Sequence, residues 1–467
     1  MHSYDSLLAT VTDSRGRPIA DPATGELVGH APEHGVGHLD RAIETARAAQ
    51  PEWAALGHDE RARLLRAAAD AVDESAEALA GIITREQGKP LNGPGSRFEA
   101  GAVSTWLRAA ATTPLETEQL LDGEHGSATL DYEPVGLVGA IGPWNWPAMI
   151  ATWQFAPALR MGNAVVMKPS EHTPLSVLAL VEIVNRVLPP GVLTALSGDR
   201  AMGEALTAHP AFGKIMFTGS TRTGKAIVRG SAEHLPRLTL ELGGNDPGIV
   251  LPDAEPEAIA EDLFWGAFIN TGQTCACLKR LYVHDDVHDA VVEALADLAA
   301  KTPMGPGIDE RNVLGPLTTR QQFGIVDDLV ERAKAAGARV VLGGDPDREL
   351  PGNFYPTTLV TDIAPGQPLV VQEQFGPALP VVRYTDLDEA IERANALDAG
   401  LGASVWSADP ERARQVAKRV AAGTVWINQH GGIHPMVPFG GIKGSGYGLE
   451  FGAEGLKAVS VPKVISG

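Results

Sequence analysis

Cys275 and Cys277 are the two cysteines of this chain, and the residues before Cys275 are typical of a reactive thiol. Cys275 ends the segment Asn270-Thr271-Gly272-Gln273-Thr274-Cys275, whose small and polar residues differ from the Val, Leu and Ile of a strand interior. A thiol in such surroundings can be exposed and act as a nucleophile. A buried structural cysteine is the alternative, because unpaired cysteines are among the most buried residues. We assign Cys277 mainly to packing.

Glu241 is a carboxylate inside the apolar run Leu238 to Leu242, just before Gly243-Gly244. Burying an unpaired carboxylate is costly, so its pKa should be raised, as a general base requires. The alternative is an Arg or Lys partner from a distant part of the sequence.

Two further polar groups follow predicted strands. In Gly142-Pro143-Trp144-Asn145-Trp146-Pro147 the rigid corner places Asn145 at its apex, where its amide could donate to an oxyanion. A helix cap or an Asx turn is the alternative role. Lys168-Pro169-Ser170-Glu171 could contact phosphate and ribose hydroxyls, or could simply be solvated.

A glycine-rich turn, Phe217 to Ala226, joins a strand to a helix and suits phosphate binding through exposed N–H groups. Gly219 to Lys225 fits the opening positions of a P-loop, but Ala226 lacks the hydroxyl that would hold magnesium. An ordinary Gly-rich turn is the alternative.

Composition excludes several classes of protein. The 467 residues predict two large domains, and the formal net charge of −20 disfavours binding to nucleic acid or to an anionic membrane. The two cysteines cannot build a disulfide framework or a zinc site. Met1 to Pro18 shows no basic segment followed by an apolar run, so we expect no membrane partner, no metal and a cytoplasmic protein.

Short apolar runs alternate with helical patterns from Glu133 onward, which predicts a parallel sheet covered by helices. Two helices precede them, Asp40 to Gln50 and Asp59 to Gln87. The first cycle is predicted as Val135 to Ile141, Pro147 to Arg160, Ala164 to Met167, Leu175 to Leu188, Lys214 to Thr218, the helix after Gly224 and Leu238 to Leu242.

A second cycle follows the Gly243-Gly244 pair. Its predicted helices are Glu257 to Ile269 and Val287 to Ala300, and its strands lie near Tyr282, Val340, Val381, Val405 and Val425. Glu118 to Tyr132 interrupts the first cycle and predicts a protruding hairpin, whose exposed edge favours oligomerisation.

The order of these motifs resembles the aldehyde dehydrogenase superfamily over nearly the whole chain. The segments that carry the resemblance are Pro143 to Pro147, Lys168 to Glu171, Phe217 to Thr221, Glu241 to Gly244, Gly272 to Cys275, Glu373 to Pro377, Gly423 to Asn428 and Pro438 to Gly441. The resemblance implies an α/β fold of two Rossmann-like three-layer domains with a small β oligomerisation element. It also implies NAD-dependent oxidation of an aldehyde to an acid, with Cys275 as nucleophile, Glu241 as base and Asn145 as oxyanion donor.

The resemblance further implies how the cofactor is held. Ser220 would touch the diphosphate, Lys168 and Glu171 the adenosine ribose, and Glu373 the nicotinamide ribose, with Phe375 beside the ring. A carboxylate at Glu171 favours NAD, with NADP still possible, because it repels a 2′-phosphate. Other cofactor contacts implied are Ile141, Trp144, Gly203, Gly219 and Leu242.

Four positions match the family's substrate tunnel and are apolar, which favours an apolar or aromatic aldehyde: Trp146, Trp153, Ile269 and Phe439. Some of them could instead be core residues. Asn245 departs from the family, which commonly has Lys there, and Trp146 is often Phe. Glu450 matches a family glutamate that can relay protons, with a structural ion pair as the alternative.

The predicted division is a NAD-binding domain of residues 1–117 and 135–243, a catalytic domain of 244–448, and an oligomerisation element of 118–134 and 449–467. That element implies a homodimer or homotetramer. A coenzyme A-acylating enzyme is the rival within the superfamily, and Glu241 argues against it. A P-loop hydrolase and a catalytically silent member are rivals from other classes.

Overall fold

A computed structural model describes residues 3–124 and 126–467. They form two large, mostly parallel sheets, a three-stranded antiparallel sheet and a two-stranded antiparallel sheet that pairs Arg17–Ala20 with Leu27–Ala31. The helices and strands before the first cycle are α1 (Tyr4–Val11), β1 (Arg17–Ala20), β2 (Leu27–Ala31), α2 (Val36–Ala55), α3 (Gly57–Gln87), α4 (Ser96–Thr112), β3 (Glu118–Gly123) and β4 (Gly126–Pro134). Helix α2 begins before the predicted Asp40, because the His38 ring accepts a hydrogen bond from the Gly35 N–H at 3.2 Å.

The first cycle forms as the alternation predicts. Its elements are β5 (Leu137–Ile141), α5 (Pro147–Arg160), β6 (Ala164–Lys168), α6 (Pro174–Val184), β7 (Leu193–Ala195), α7 (Arg200–Ala208), β8 (Lys214–Thr218), α8 (Thr221–Gly230) and β9 (Arg237–Glu241). Strands β5, β6 and β8 are largely apolar and are buried along almost their whole length, as strands of a parallel sheet between helices must be.

The second cycle and the C-terminal segment follow. Their elements are β10 (Asp246–Val250), α9 (Pro256–Phe268), β11 (Leu278–His284), α10 (His288–Lys301), α11 (Arg320–Ala335), β12 (Arg339–Leu342), β13 (Thr358–Thr361), α12 (Pro368–Val371), β14 (Ala378–Tyr384), α13 (Leu387–Asn395), β15 (Gly402–Trp406), α14 (Pro410–Ala417), β16 (Thr424–Ile427), β17 (Gly446–Tyr447), α15 (Gly452–Ala458) and β18 (Ser460–Ser466).

The strand order confirms the predicted fold of two Rossmann-like α/β units. The first sheet runs β17-β9-β8-β5-β6-β7 and is parallel apart from β17. The second runs β12-β13-β14-β11-β10-β15-β16 and is parallel apart from β12. Strand β17 lies within the predicted catalytic segment 244–448 yet pairs with the first sheet, so one strand crosses the predicted boundary. The boundaries themselves remain a prediction.

The predicted hairpin is present as β3 and β4, with His125 at its tip outside the described residues. Strand β18 pairs with β4 over its whole length and makes this a three-stranded antiparallel sheet. Exposed apolar side chains on it include Leu120, Leu121, Val464 and Ile465. Among the described residues, no helix is long and apolar enough to cross a membrane.

A buried asparagine joins this small sheet to the first α/β unit. The Asn163 side chain accepts from the Gly136 N–H at 3.0 Å and donates to the carbonyl oxygens of Ala158 at 3.0 Å and Val459 at 2.9 Å. The Gly136 N–H and the Val459 carbonyl would lose this partner if the amide were removed, whereas the Ala158 carbonyl would still accept from the Asn163 backbone N–H at 3.0 Å.

We expect Asn163→Ala to destabilise the protein by about 2 to 4 kcal/mol, because the Gly136 N–H and the Val459 carbonyl lose the partner that the side chain gives them. Asn185→Ala is the control, since the exposed Asn185 makes one such bond, to the Leu193 carbonyl at 3.0 Å. Thermal unfolding midpoints of the two variants test this. Equal, small shifts would show that Asn163 does not hold the two parts together.

Candidate active site

Most of the predicted site residues meet at one edge of the first sheet. Strands β5, β6, β8 and β9 are neighbours and parallel, so their carboxyl ends lie side by side, where ligands bind in open α/β sheets. A cleft of about 520 Å³ opens there. The predicted residues that line it are Trp144, Asn145, Lys168, Glu171, Gly219, Ser220, Leu242, Cys275, Glu373 and Phe375.

Two predicted cofactor residues do not line this cleft. Ile141 ends β5, and its carbonyl oxygen accepts a hydrogen bond from the Gln154 side chain at 3.1 Å. Gly203 lies in α7, where an added Cβ would come 3.7 Å from the Lys168 side chain. That distance is ordinary van der Waals contact, so Gly203 lies beside Lys168 without being required by it.

Ser220 is the N-cap of α8 and faces the cleft. Its hydroxyl oxygen accepts from the Thr223 N–H at 3.3 Å, so the residue that was expected to touch phosphate also caps the helix. A Cβ on Gly219 would come 2.6 Å from the Phe217 ring, and the Gly219 N–H donates to the Glu241 carbonyl at 2.9 Å. The turn thus presents a helix N-terminus to the cleft, which favours an anionic group.

Lys168 and Glu171 lie at the next strand end. Lys168 is buried, its Nζ donates to the Pro169 carbonyl at 3.0 Å, and burial lowers the pKa of this ammonium. Glu171 is exposed, and its carbonyl accepts from the Arg17 guanidinium at 2.9 Å. A cation and a carboxylate therefore flank this end of the cleft.

Glu373 and Phe375 enter the cleft from the second unit. A Glu373 carboxylate oxygen accepts from the Gly244 N–H at 3.2 Å, and burial raises the pKa of Glu373 to about 7, with Lys279 opposing the shift. A Cβ on Gly243 would lie 2.5 Å from the other Glu373 oxygen. The Phe375 ring packs edge to face with Trp144 at 5.3 Å between centroids.

The segment before Cys275 has an unusual backbone. Asn270, Thr271 and Gly272 have consecutive φ values of 51°, 56° and 74°, all in the left-handed region. Left-handed non-Gly residues cost about 1 to 3 kcal/mol each, so the surrounding contacts must hold them. Thr271 exchanges hydrogen bonds with Gly315 through its hydroxyl, at 3.0 and 3.1 Å, and Lys279 Nζ donates to the Gly272 carbonyl at 2.6 Å.

This turn brings Cys275 to the cleft and leaves it half-buried, while Cys277 is fully buried. Burial raises the pKa of the Cys275 thiol well above its usual range, and the carboxylates of Glu241 and Glu373 raise it further. The Cys275 N–H donates no hydrogen bond within residues 3–124 and 126–467. The thiol is therefore protonated at rest, with a free N–H donor beside it.

Glu241 ends β9 and is buried. Among the described residues, neither of its carboxylate oxygens has a hydrogen-bond partner, and it forms no ion pair. Burial raises its pKa well above the ordinary value and the Glu450 carboxylate raises it further, while the nearby Gly441 backbone N–H opposes the shift. The distant basic partner considered as the alternative is thus absent from the part of the chain that is described.

Glu450 is buried as well, and its backbone pairs with that of Phe439. Burial raises the pKa of Glu450 to about 8, while Lys214 opposes the shift. Within the described chain Glu450 makes no ion pair within 4.0 Å, so the structural ion pair is not formed.

Asn145 is buried between the two units. Its Nδ2 donates to the Gln273 carbonyl at 2.8 Å, and Trp146, not Asn145, is the N-cap of α5. Since an amide nitrogen carries two N–H donors, one remains for a ligand. The helix-cap alternative is therefore not what the structure shows.

The four predicted tunnel residues pack in one apolar cluster that also contacts Cys275: Trp146, Trp153, Ile269 and Phe439. Phe451 joins them, 4.8 Å from the Trp153 ring and 6.2 Å from the Phe439 ring between centroids. Cys275 thus has the polar cleft on one side and an aromatic cluster on the other.

Two buried charged pairs close to the site were not singled out from the sequence. Lys89 and Glu99 contact each other at 2.5 Å, and His430 lies 3.6 Å from Asp246, which follows the family departure at Asn245. Lys89 and Glu99 are 10 residues apart, whereas His430 and Asp246 are distant along the chain. The signal available in the sequence was an acidic residue within a helix or strand, Glu99 in α4 and Asp246 in β10, because Lys89 and His430 lie in loops.

We expect Gly272→Ala to destabilise the protein by about 2 to 4 kcal/mol and to slow alkylation of Cys275. The added Cβ would come 2.3 Å from the Gly376 carbonyl oxygen, at a φ of 74° that Ala avoids. Gly101→Ala, in α4 with nothing within 4 Å of its Cβ, is the control. The measurements are the thermal unfolding midpoint and the rate at which iodoacetamide alkylates Cys275. Equal midpoints and equal alkylation rates in Gly272→Ala and Gly101→Ala would contradict the prediction.

Comparison with known proteins agrees with this geometry. The sequence profile of the Aldehyde dehydrogenase family matches residues 10–465. Aldehyde dehydrogenase LUC3 of Fusarium sp. is 37% identical over 446 residues, covering 95% of this chain and 94% of that protein.

Two solved structures have the same fold. An NADP-dependent enzyme of E. coli superposes with a TM-score of 0.93 at 34% identity, over 96% of this chain and 94% of that one. PnpE from Pseudomonas sp. WBC-3, also solved in complex with nicotinamide adenine dinucleotide, gives a TM-score of 0.92 at 34% identity, over 96% and 93%. The match over nearly the whole length shows that this chain belongs to the aldehyde dehydrogenase family.

Proposed function

We propose that this protein oxidises an apolar or aromatic aldehyde to the carboxylic acid with NAD, through a thioester on Cys275. One observation carries the proposal. Half-buried Cys275 lies where a cleft suited to a dinucleotide meets an aromatic cluster suited to an apolar substrate. A nucleophile at that junction can bond to a substrate while a cofactor approaches from the other side.

The cleft residues fit a dinucleotide. The N-terminus of α8 at Ser220 suits a diphosphate, and Lys168 with Glu171 suits the adenosine ribose. The Glu373 carboxylate, held by the Gly244 N–H, suits the second ribose. When bound, the nicotinamide supplies the acceptor for the hydrogen that leaves the substrate carbon.

We propose NAD rather than NADP as the preferred cofactor, because the Glu171 carboxylate can accept hydrogen bonds from a free 2′-hydroxyl and would repel a 2′-phosphate. Support for either cofactor comes from the relatives, since PnpE is solved with nicotinamide adenine dinucleotide and the E. coli enzyme is NADP-dependent.

The first chemical step is attack of Cys275 Sγ on the aldehyde carbon. The pKa of the thiol is raised, so its proton must pass to water in the cleft as the S–C bond forms. The former carbonyl oxygen becomes an oxyanion. The second N–H of the Asn145 amide and the free Cys275 N–H are the donors placed to hold it.

The second step is hydrolysis of the Cys275 thioester that remains once the hydrogen has left. The Glu241 carboxylate takes a proton from water as the water oxygen bonds to the acyl carbon. The S–C bond then breaks, and the proton held by Glu241 passes to the departing sulfur, which frees the acid and the thiol. A buried carboxylate without a fixed partner suits this role, because burial strengthens it as a base.

The substrate class is proposed from the aromatic cluster. Trp146, Trp153, Ile269 and Phe439 present rings and aliphatic carbon next to Cys275. Desolvating an apolar aldehyde against such residues is favourable, whereas a charged one would lose its hydration without a counter-charge there.

For assembly, we propose a homodimer or homotetramer formed through the three-stranded sheet. Exposed Leu120, Leu121, Val464 and Ile465 lie on that sheet, and its edge strands offer unpaired backbone groups. The two free cysteines support a cytoplasmic, reducing location.

We expect Cys275→Ala to abolish NADH formation, with a fall of at least about a thousandfold for loss of a covalent nucleophile. Cys277→Ala is the matched control, because Cys277 is buried two residues away and contacts the Ile269 carbonyl. It should keep most of the activity. NADH absorbance across apolar, aromatic and charged aldehydes provides the measurement, and full activity of Cys275→Ala would rule out the covalent route.

We expect Glu241→Gln to release one equivalent of NADH per site and then stall, because thioester hydrolysis needs the base. Burial raises the pKa of Glu241, so the parent's hydrolysis rate should rise with pH as this carboxyl loses its proton, and the variant should lack that rise. Stopped-flow bursts and steady-state rates from about pH 6 to 9 measure both effects. A variant with the parent's steady-state rate and pH profile would remove Glu241 from this role.

A further inference from the structure

Asn145 is held from its main chain as well as from its side chain. Its carbonyl oxygen accepts two hydrogen bonds, from Lys89 Nζ at 2.8 Å and from Asn270 Nδ2 at 2.8 Å. Its side-chain Nδ2 donates to the Gln273 carbonyl at 2.8 Å. These three bonds fix the position of the backbone and the direction of the amide.

Lys89 reaches this carbonyl as half of a buried ion pair. Its Nζ lies 2.5 Å from Glu99 Oε2, and neither side chain is exposed. The other Glu99 oxygen accepts from the N–H groups of Ala148 at 2.9 Å and Met149 at 3.1 Å, in the first turn of α5. The pair therefore holds both the corner residue and the helix that follows it.

The same ammonium also touches the substrate side. Lys89 Nζ lies 3.4 Å from the centre of the Trp146 ring, and the Trp146 Nε1 donates to the Thr274 hydroxyl at 2.8 Å, next to Cys275. A displacement of Lys89 would therefore change the positions of both Asn145, the proposed oxyanion donor, and Trp146 in the aromatic cluster.

Stability alone does not account for such a pair. Burying two charges costs several kcal/mol of desolvation, and apolar side chains of the same volume often give equal or greater stability. A buried ion pair instead fixes the orientation of the groups that it contacts, because each of its hydrogen bonds requires a narrow range of distances and angles.

We propose that the buried Lys89–Glu99 pair is a positioning device for Asn145, which aims the free N–H of its amide at the oxygen of the substrate bound to Cys275. This proposal rests on the proposed function, in which that N–H stabilises an oxyanion. Lys89 and Glu99 touch no reacting atom, so they act through Asn145. The gain is a donor already aligned before charge develops.

The test is a double-mutant cycle on single-turnover NADH formation at saturating cofactor and aldehyde. The pair variant, Lys89→Met with Glu99→Gln, removes both charges while keeping side-chain volume and one acceptor for the α5 N–H groups. We expect Asn145→Ala to slow the turnover about a hundredfold or more. In the parent protein, the pair variant should slow the turnover at least about tenfold. In the Asn145→Ala background, the same two substitutions should slow it further by less than about twofold.

Glu86→Gln is the matched control. Glu86 is a buried carboxylate that accepts from the N–H groups of Leu175 at 2.7 Å and Ser176 at 2.8 Å at the start of α6, and it has no contact with Asn145. This variant should unfold earlier yet keep the parent's single-turnover rate. If the pair variant folds poorly, Lys89→Gln is measured in the same two backgrounds and interpreted in the same way.

Three outcomes would overturn the inference, and they are distinct. A parent-like rate in the pair variant shows that Lys89 and Glu99 position nothing. The same fold-loss with and without Asn145 shows that they act by another route. A parent-like rate in Asn145→Ala refutes the oxyanion role itself, and with it this part of the proposed function.

Discussion

The left-handed turn at Asn270 to Gly272 is the constraint on which the site depends. Such a backbone is unfavourable for Asn and Thr, and it persists because buried polar groups hold it from several directions. Gln273 is central among them. Its side chain donates to the Asn270 carbonyl at 3.1 Å and accepts from the Thr318 N–H at 2.9 Å, while its own carbonyl accepts from Asn145. The segment that ends at Cys275 and the Asn145 amide that faces it are thereby held together.

Exclusion of water is the second determinant of the site's chemistry. Burial raises the pKa of Cys275, Glu241, Glu373 and Glu450 alike, because each would carry its negative charge without hydration. Each of these acids therefore holds its proton more tightly than it would in water. Proton transfer between neighbouring groups can then accompany each step, which is what general acid–base catalysis requires.

Local pattern predicted most strands of the two large sheets, but not helices α4, α7 and α11. Strand β8 spans Lys214–Thr218 and α5 spans Pro147–Arg160, both as predicted. The spacing of apolar residues and the turn residues at the two ends are local signals that mark each of these elements. Strand β17 was not predicted, since two residues carry no periodic signal and its partner β9 is far away along the chain. The Lys89–Glu99 pair was missed for a similar reason. Its partners come from α4, α5 and the loop after α3, and burial is decided only when these pack together.

The sequence by itself determined which groups can do chemistry and in what order they occur: Asn145, Glu241 and Cys275, each at the end of an apolar run or in a turn of small residues. Tertiary structure decided which hydrogen-bond partners and which neighbouring charges those groups have. Whether the Asn145 amide caps a helix or faces a cleft, and whether Glu241 meets a counter-charge, depends on segments distant in sequence. Hydrogen bonding and desolvation act over a few ångströms of space rather than over sequence separation, so only the packed fold fixes both.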